Sequence, residues 1–291
     1  MDERLAGLVR LLDLERLEVN LFRGESRDIG SPQVFGGQVL GQALKAAYGT
    51  VDAGRPVHSL HAYFLKRGDF KAPIVYFVDR SRDGQSFTSR RVTAIQHGEQ
   101  IFHMSASFQQ PQPGVEHQLA MPEAPEPEAW PEMGLRTSRV LQQLPEKLRH
   151  FYANAHPFEF RLSDPIDPAH PRNAAPAQMI WMRAVDQLPD DEVLHRCLFA
   201  YVSDFHLLGT AIRPHALEFA SGKFMVASID HAMWFHRPAR VDEWLLCDMD
   251  SPSASGSRGF ARCSIFTRDG RLVASTAQEG LIRQLPATPE A

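Results

Sequence analysis

Residues 228–238 read Ser-Ile-Asp-His-Ala-Met-Trp-Phe-His-Arg-Pro, and residues 58–68 read His-Ser-Leu-His-Ala-Tyr-Phe-Leu-Lys-Arg-Gly. At an offset of 170, His231-Ala-Met-Trp-Phe-His-Arg-Pro lies over His61-Ala-Tyr-Phe-Leu-Lys-Arg-Gly. Each copy mixes polar and apolar side chains, carries aromatics and stops at a turn former, the pattern of a strand ending in a packed sheet. A segment written twice predicts a fused pair of related halves. Function is then sought where the two halves differ.

The flanking order supports the pair. The first half opens with an amphipathic helix over 3–15, with Leu5, Leu8, Val9, Leu11 and Leu12 on one side, and a strand over 17–23. A helix over 34–51 follows, opening on Gly36-Gly37. Its Gly41, Ala43, Ala46 and Ala47 give it a slim surface that can lie close against a sheet. Strands are predicted over 57–66, 74–82, 86–97 and 100–109, with turns at Asp83-Gly84 and His97-Gly98. In the second half, strands at 158–162 and 178–185 precede a helix capped by Asp190-Asp191 and running to about Gly209. Strands follow over 216–219, 225–235, 244–251, 259–267 and 272–283, with a hairpin at Asp269-Gly270. A helix followed by a run of antiparallel strands, twice, is an α+β pattern. Arg91 falls on Arg262 and Ile101 on Leu272 at an offset of 171, and the helices superpose near 163.

The stretch between the halves is rich in proline, glutamate and alanine and reads as a linker. A helix over 138–154, interrupted by Pro145, follows it. The expected division is therefore 1–109, a proline-rich linker at 110–133, and 134–285.

Composition narrows the function. The 291 residues carry 43% hydrophobic and 23% charged side chains, enough for a sizeable core. A net charge of -4 with no basic block argues against nucleic acid. Cys197, Cys247 and Cys263 are odd in number and widely spaced, so no disulfide and no cysteine zinc site is expected, and a reducing cytoplasm fits. No apolar run is long enough for a membrane span, and the first residues lack the apolar core of a signal peptide. The G-x-S-x-G elbow, G-x-G-x-x-G, the P-loop and H-E-x-x-H are all absent.

Asp204 is the most informative single residue. On a continuous helix Cys197, Ala200, Leu207, Leu208 and Ala211 would be its one- and two-turn neighbours, so its carboxylate would stand on an apolar stripe. Such a group must find hydrogen-bond partners or shift its pKa. The alignment sets Asp204, Ser228 and Gln278 in the second half against Gly41, His58 and Ser107 in the first. A carboxylate, a hydroxyl and an amide together can hold and deprotonate a water. A pairing of His58 with Asp204 is the alternative catalytic arrangement, and His231 and His236 read as structural histidines.

The chain resembles the acyl-CoA thioesterase II family, bacterial double hot-dog enzymes with peroxisomal relatives. The resemblance covers about 11–283. It is carried by Leu21-Phe22-Arg23-Gly24, Val34-Phe35-Gly36-Gly37-Gln38-Val39 and Ala62-Tyr63-Phe64-Leu65 in the first half. In the second it is carried by Ser203-Asp204, 230–238, Arg258-Gly259-Phe260 and Gln278-Glu279-Gly280. The resemblance implies two hot dogs, each a helix wrapped by an antiparallel sheet, packed as an internal pseudo-dimer. It implies hydrolysis of fatty acyl-CoA to fatty acid and CoA without a cofactor or a metal, on Asp204, Ser228 and Gln278. The middle position is often threonine in that family, so Ser228 departs mildly. The terminal Ser-Lys-Leu of peroxisomal members is missing, which makes a cytoplasmic enzyme the expectation. A homodimer or homotetramer is expected, with an apolar acyl channel between the halves and Arg90, Arg91, Arg258 or Arg262 as candidates for the CoA phosphates. A hot-dog hydratase or dehydratase, or a non-catalytic acyl-CoA binder, are the competing readings.

Overall fold

The computed structural model describes residues 1–31, 33–131, 142, 149, 156–167, 170–217 and 223–285. The expected helix over 138–154 lies outside these residues apart from two positions, as does the end of the strand expected over 216–219. The described start of that strand is not extended, since Ala216 takes a left-handed φ of 45°.

The first half begins with α1 (Glu3–Leu11), capped by the Asp2 side chain, and two short strands, β1 (Glu15–Glu18) and β2 (Leu21–Gly24). Helix α2 (Gly36–Tyr48) precedes β3 (Val57–Phe64), β4 (Ile74–Asp83), β5 (Phe87–Gln96) and β6 (Glu99–Gln109). The second half has β7 (Phe158–Leu162), β8 (Ala177–Ala184) and α3 (Glu192–Val202), then a short α4 (Leu207–Ile212). It closes with β9 (Phe224–Ser228), β10 (Asp230–Phe235), β11 (Leu245–Ser255), β12 (Arg258–Thr267) and β13 (Leu272–Gln284). All strand pairs are antiparallel in one sheet, ordered β1-β2-β4-β5-β6-β3-β10-β13-β12-β11-β8-β7, with β9 also on β13. Read from its two ends the order is the same topology twice, joined at the β3–β10 seam. This is the double hot-dog α+β fold.

The ladders place the repeat one residue away from the alignment that suggested it. Arg90 pairs with Ala106 on β6, while Ala261 pairs with Gln278 on β13. Val57 pairs with Phe108, while Ser228 pairs with Gly280. The counterparts of Ser228 and Gln278 are therefore Val57 and Ala106, not His58 and Ser107. For Gln278 the cause is the last hairpin, where Arg268-Asp269-Gly270 stands in place of His97-Gly98 and adds one residue. A one-residue slip moves a side chain to the other face of the sheet. The two His-Ala motifs show it: His231 is buried while His61 is exposed on the outer face.

The two helices pack against each other inside the wrapped sheet. A methyl group on Gly37 would overlap the Tyr201 carbonyl oxygen, and one on Gly41 would lie 3.0 Å from that of Cys197. The slim surface of α2 thus faces α3 rather than the sheet, because glycines four apart on one helix share a face. Gly41 stands opposite Cys197 and not in the place of Asp204. With the helix starts taken as equivalent, the counterpart of Asp204 is Tyr48. Its phenol accepts the Val57 N–H at 2.8 Å and its ring packs edge-on against Phe108. In the first half an aromatic fills the space that in the second half holds a carboxylate.

The segment after β6 lies across the outer face of the second half. Trp181 donates its indole N–H to the Pro125 carbonyl at 3.0 Å, and Gln118 bonds Gly270 and Leu272. Trp181, Trp244, Leu246 and Phe266 form a second small core beneath it, against Met121, Ala124 and Trp130. Its described part is a strap that covers apolar surface.

Arg90 does not face solvent. Its side chain is 2% exposed and bonds the Thr50 hydroxyl and carbonyl, the Arg82 and Ser89 carbonyls and the Asp83 carboxylate. It is a tie between the end of α2 and the β4–β5 hairpin, so it drops out as a phosphate ligand. Arg90→Ala strands those acceptors, and a loss of roughly 2–3 kcal/mol is expected. The denaturant midpoint measures it, and an unchanged midpoint refutes it.

Candidate active site

Asp191 caps α3 by accepting from the Val193 and Leu194 N–H groups, as the sequence predicts. The helix does not continue to Gly209. It stops at Val202, and His206 takes φ 68° before α4 begins. Asp204 therefore sits in a break between two helices, held there by a residue in a conformation that costs a non-glycine side chain. The apolar stripe derived from a continuous helix is not its real setting. Its side chain is nevertheless only 4% exposed.

The structure brings Asp204, Ser228 and Gln278 together. Gln278, at the inner face of β13 and 2% exposed, donates from Nε2 to Asp204 Oδ1 at 2.6 Å and to Ser228 Oγ at 3.0 Å. Ser228 ends β9, where the strand path is interrupted at Ile229 before β10 resumes. That interruption divides the single strand expected over 225–235. Gln278 is the bridge of the trio: both its amide hydrogens are used, and the Ser228 hydroxyl hydrogen remains available to a ligand.

The opposite wall is the start of α2. Oδ2 of Asp204 lies 2.7 Å from where a Gly36 side chain would begin, so only glycine fits at that place. Burial pushes the Asp204 carboxyl up to about 7, while the Gln278 amide and the Gly37 N–H pull it partly back. Burial dominates because a carboxylate loses more by leaving water than two neutral donors return.

His58 is elsewhere. Its Nε2 lies 2.8 Å from Ser107 Oγ and its ring meets Phe87 edge-on, so the bonded partner of His58 is Ser107 and not Asp204. His236 bonds Ser275. Arg258 pairs with Glu279 and Arg262 with Asp250 on the surface, while Arg91 is exposed. Cys197, Cys247 and Cys263 are free and buried. Among the described residues no cluster of three histidine, cysteine or acidic side chains could hold a metal.

Cavities among the described residues flank the helices. One, beside Ser203 under the helix break, is lined by Phe160, Met182, Val202, Phe205, Cys247 and Ile265. The other, about 430 Å³, lies where the end of α2 meets the start of α3, between Tyr48, Lys45, Arg55 and Glu192. It is the wider of the two, yet it borders Tyr48, where the second half has its carboxylate.

Comparison with known proteins identifies the kinship. Residues 154–281 match the family described as acyl-CoA thioesterase, and residues 23–109 match the acyl-CoA thioesterase N-terminal domain. Acyl-CoA thioesterase 2 of Haemophilus influenzae is 44% identical over 97% of this chain and 99% of its own. The chain belongs to the acyl-CoA thioesterase II family. The crystal structure of the acyl-CoA thioesterase II TesB2 of Mycobacterium marinum is 45% identical, covers 98% of this chain and 100% of its own, and superposes with a TM-score of 0.79. A hot-dog protein of Alicyclobacillus acidocaldarius, at 18% identity and 97% and 99% coverage, shares the fold with a TM-score of 0.77.

Sequence reasoning overlooked three participants. The Gly36-Gly37 pair was visible as a helix start, but not as the wall against Asp204. The helix break left no proline or glycine to announce it. His231 reads as a satisfied structural histidine, whereas its Nδ1 is buried without a hydrogen-bond partner.

Proposed function

We propose that this acyl-CoA thioester hydrolase splits fatty acyl-CoA to fatty acid and CoA with a water activated by Asp204 and held by Ser228 and Gln278. The observation that carries the reading is the Gln278 amide joined to both the Asp204 carboxylate and the Ser228 hydroxyl in a nearly enclosed site. Asp204 takes the water proton, the hydroxide oxygen bonds to the thioester carbon, and collapse expels the CoA thiolate, which receives the proton. A carboxylate whose pKa lies near the working pH suits this exchange, since it must both accept and return a proton.

The acyl chain is proposed to run between the halves, because the cavity beside Ser203, about 10 Å³, is too small to hold it. The proposed division is 1–109, a linker at 110–133, and 134–285, the first half supplying the α2 wall and the second the reacting groups. A cytoplasmic homodimer or homotetramer is the proposed setting; among the described residues no helix is long and apolar enough to cross a membrane.

Thiol release from acyl-CoAs of increasing chain length tests the reaction. Free thiol supports hydrolysis; a change in enoyl absorbance without thiol points to a hydratase, and binding without turnover to a carrier. The base must be ionised, so kcat is expected to rise with pH through about 7 and level off above it. Below that point it falls about tenfold per pH unit. A flat profile between pH 5 and 8 would remove Asp204 from the role.

A further inference from the structure

One buried group beside Asp204 is not used by the mechanism above. His231, on β10, is enclosed, and its Nε2 lies 3.0 Å from Ser203 Oγ. Ser203 is the C-cap of α3, and its hydroxyl lies 3.0 Å from the Ala200 carbonyl, placed to donate to it. With its single hydroxyl hydrogen on that carbonyl, Ser203 can only accept from the imidazole; the alternative arrangement is a hydroxyl that donates to Nε2 with the ring proton on Nδ1. In the first arrangement the ring proton stands on Nε2. That leaves the Nδ1 lone pair, without a hydrogen-bond partner, facing Asp204 Oδ1 at 3.9 Å.

We propose that Ser203 and His231 are positioning residues for the base: Ser203 locks the imidazole as its Nε2–H tautomer, so that Nδ1 accepts a hydrogen bond from Asp204 once that carboxylate has taken the proton of water. The inference rests on the reading of Asp204 as the base. While Asp204 is ionised, the lone pair opposite it disfavours the anion and makes it the stronger base. When the water O–H bond breaks and the carboxyl O–H forms, that O–H points to Nδ1, and an approach of about 1 Å gives a normal hydrogen bond. On collapse the carbon–sulfur bond breaks, the proton passes from Asp204 to the thiolate sulfur, and the carboxylate returns. His231 itself gains and loses no proton.

The groups facing Asp204 come from every element packed on it. They are His231 from β10, Gln278 from β13 and the Gly37 N–H from α2, with Ser228 of β9 across the Gln278 amide. Tyr201 of α3 feels its charge, and burial raises that phenol far above neutrality. Among the described residues no lysine or arginine pairs with Asp204, so the tautomer of His231 is the variable that the protein controls there.

Nitrogen-15 resonances of histidine-labelled protein read the tautomer without substrate, so a failed tautomer and a failed hydrolysis are told apart. His231 is expected as Nε2–H in the wild type. In Ser203→Ala the ring is released, Nδ1–H donates to the Asp204 carboxylate, and a bonded anion is a weaker base. The acidic limb of the kcat profile should then move down by about one pH unit, with kcat lowered about tenfold and KM within twofold. Ser203→Thr keeps the hydroxyl and should restore both the limb and the resonance. An Nδ1–H resonance in the wild type overturns the proposal, and so does a Ser203→Ala enzyme whose limb stays in place.

Discussion

Asp204→Asn is expected to lower kcat for acyl-CoA hydrolysis by about 10²–10⁴-fold, the range for removing a positioned general base. The substitution is nearly isosteric, and Gln278 can still donate to the remaining carbonyl oxygen, so KM should move little. The same change should raise stability above neutral pH. Burial lifts the native carboxyl from 3.8 to about 7, so between these values the folded state binds more protons than the unfolded one. Stability from this group is then present below the unfolded pKa and lost as pH rises through the folded pKa. A neutral amide carries no such penalty, and at pH 8 the variant should be more stable by roughly 2–4 kcal/mol. Thiol release and thermal unfolding on the same preparation decide the matter. A folded variant that keeps more than a tenth of the activity makes Asp204 structural. One that is inactive but no more stable at pH 8 than at pH 5, relative to wild type, would mean that the carboxylate is not a destabilised base.

The division of labour between the halves explains why so much was legible in the sequence. The strand periodicity and turn residues depend on local chemistry, and β3, β5 and β12 fall within two residues of their predicted ends. The pseudo-repeat is likewise local, since each half carries its own pattern. Register was not. Whether Gln278 corresponds to Ser107 or Ala106 depends on one extra residue in the 268–270 turn, and sequence similarity cannot price one residue in a loop. In the sequence the burial of Asp204 follows from a helix that does not exist at that point. It comes instead from α2, Gln278 and His231 closing around a helix break, which is tertiary information. The left-handed His206 that permits the break carries no compositional signal of the kind glycine or asparagine would give.

Gly37→Ala should damage both the fold and the site, because this glycine serves both at once. On propensity alone, alanine inside a helix gains roughly 0.5–1 kcal/mol over glycine. Here the added methyl would overlap the Tyr201 carbonyl oxygen and the Phe35 ring, and neither has room to move, since Phe35 is wedged against Tyr201 and Phe205. Overpacking of a closely fitted interior costs about 1–3 kcal/mol, and with the helix gain set against it the net change is a loss of roughly 1–2 kcal/mol. The helices relieve the overlap by separating, which withdraws the Gly37 N–H from Asp204 and carries the break away from Gln278. A displacement near 1 Å at a reacting group can cost on the order of 10²-fold in rate, so kcat should fall by about that much in a protein that still folds. Gly41→Ala supplies the control. Its methyl would stand 3.0 Å from the Cys197 carbonyl oxygen, one turn further from the carboxylate. It should lose under about 1 kcal/mol once the helix gain is counted, and most of its activity should remain. If both variants lose stability equally while activity is unchanged, the close helix contact serves packing alone. If Gly37→Ala loses activity out of proportion to stability, the contact between the halves is what aims the base.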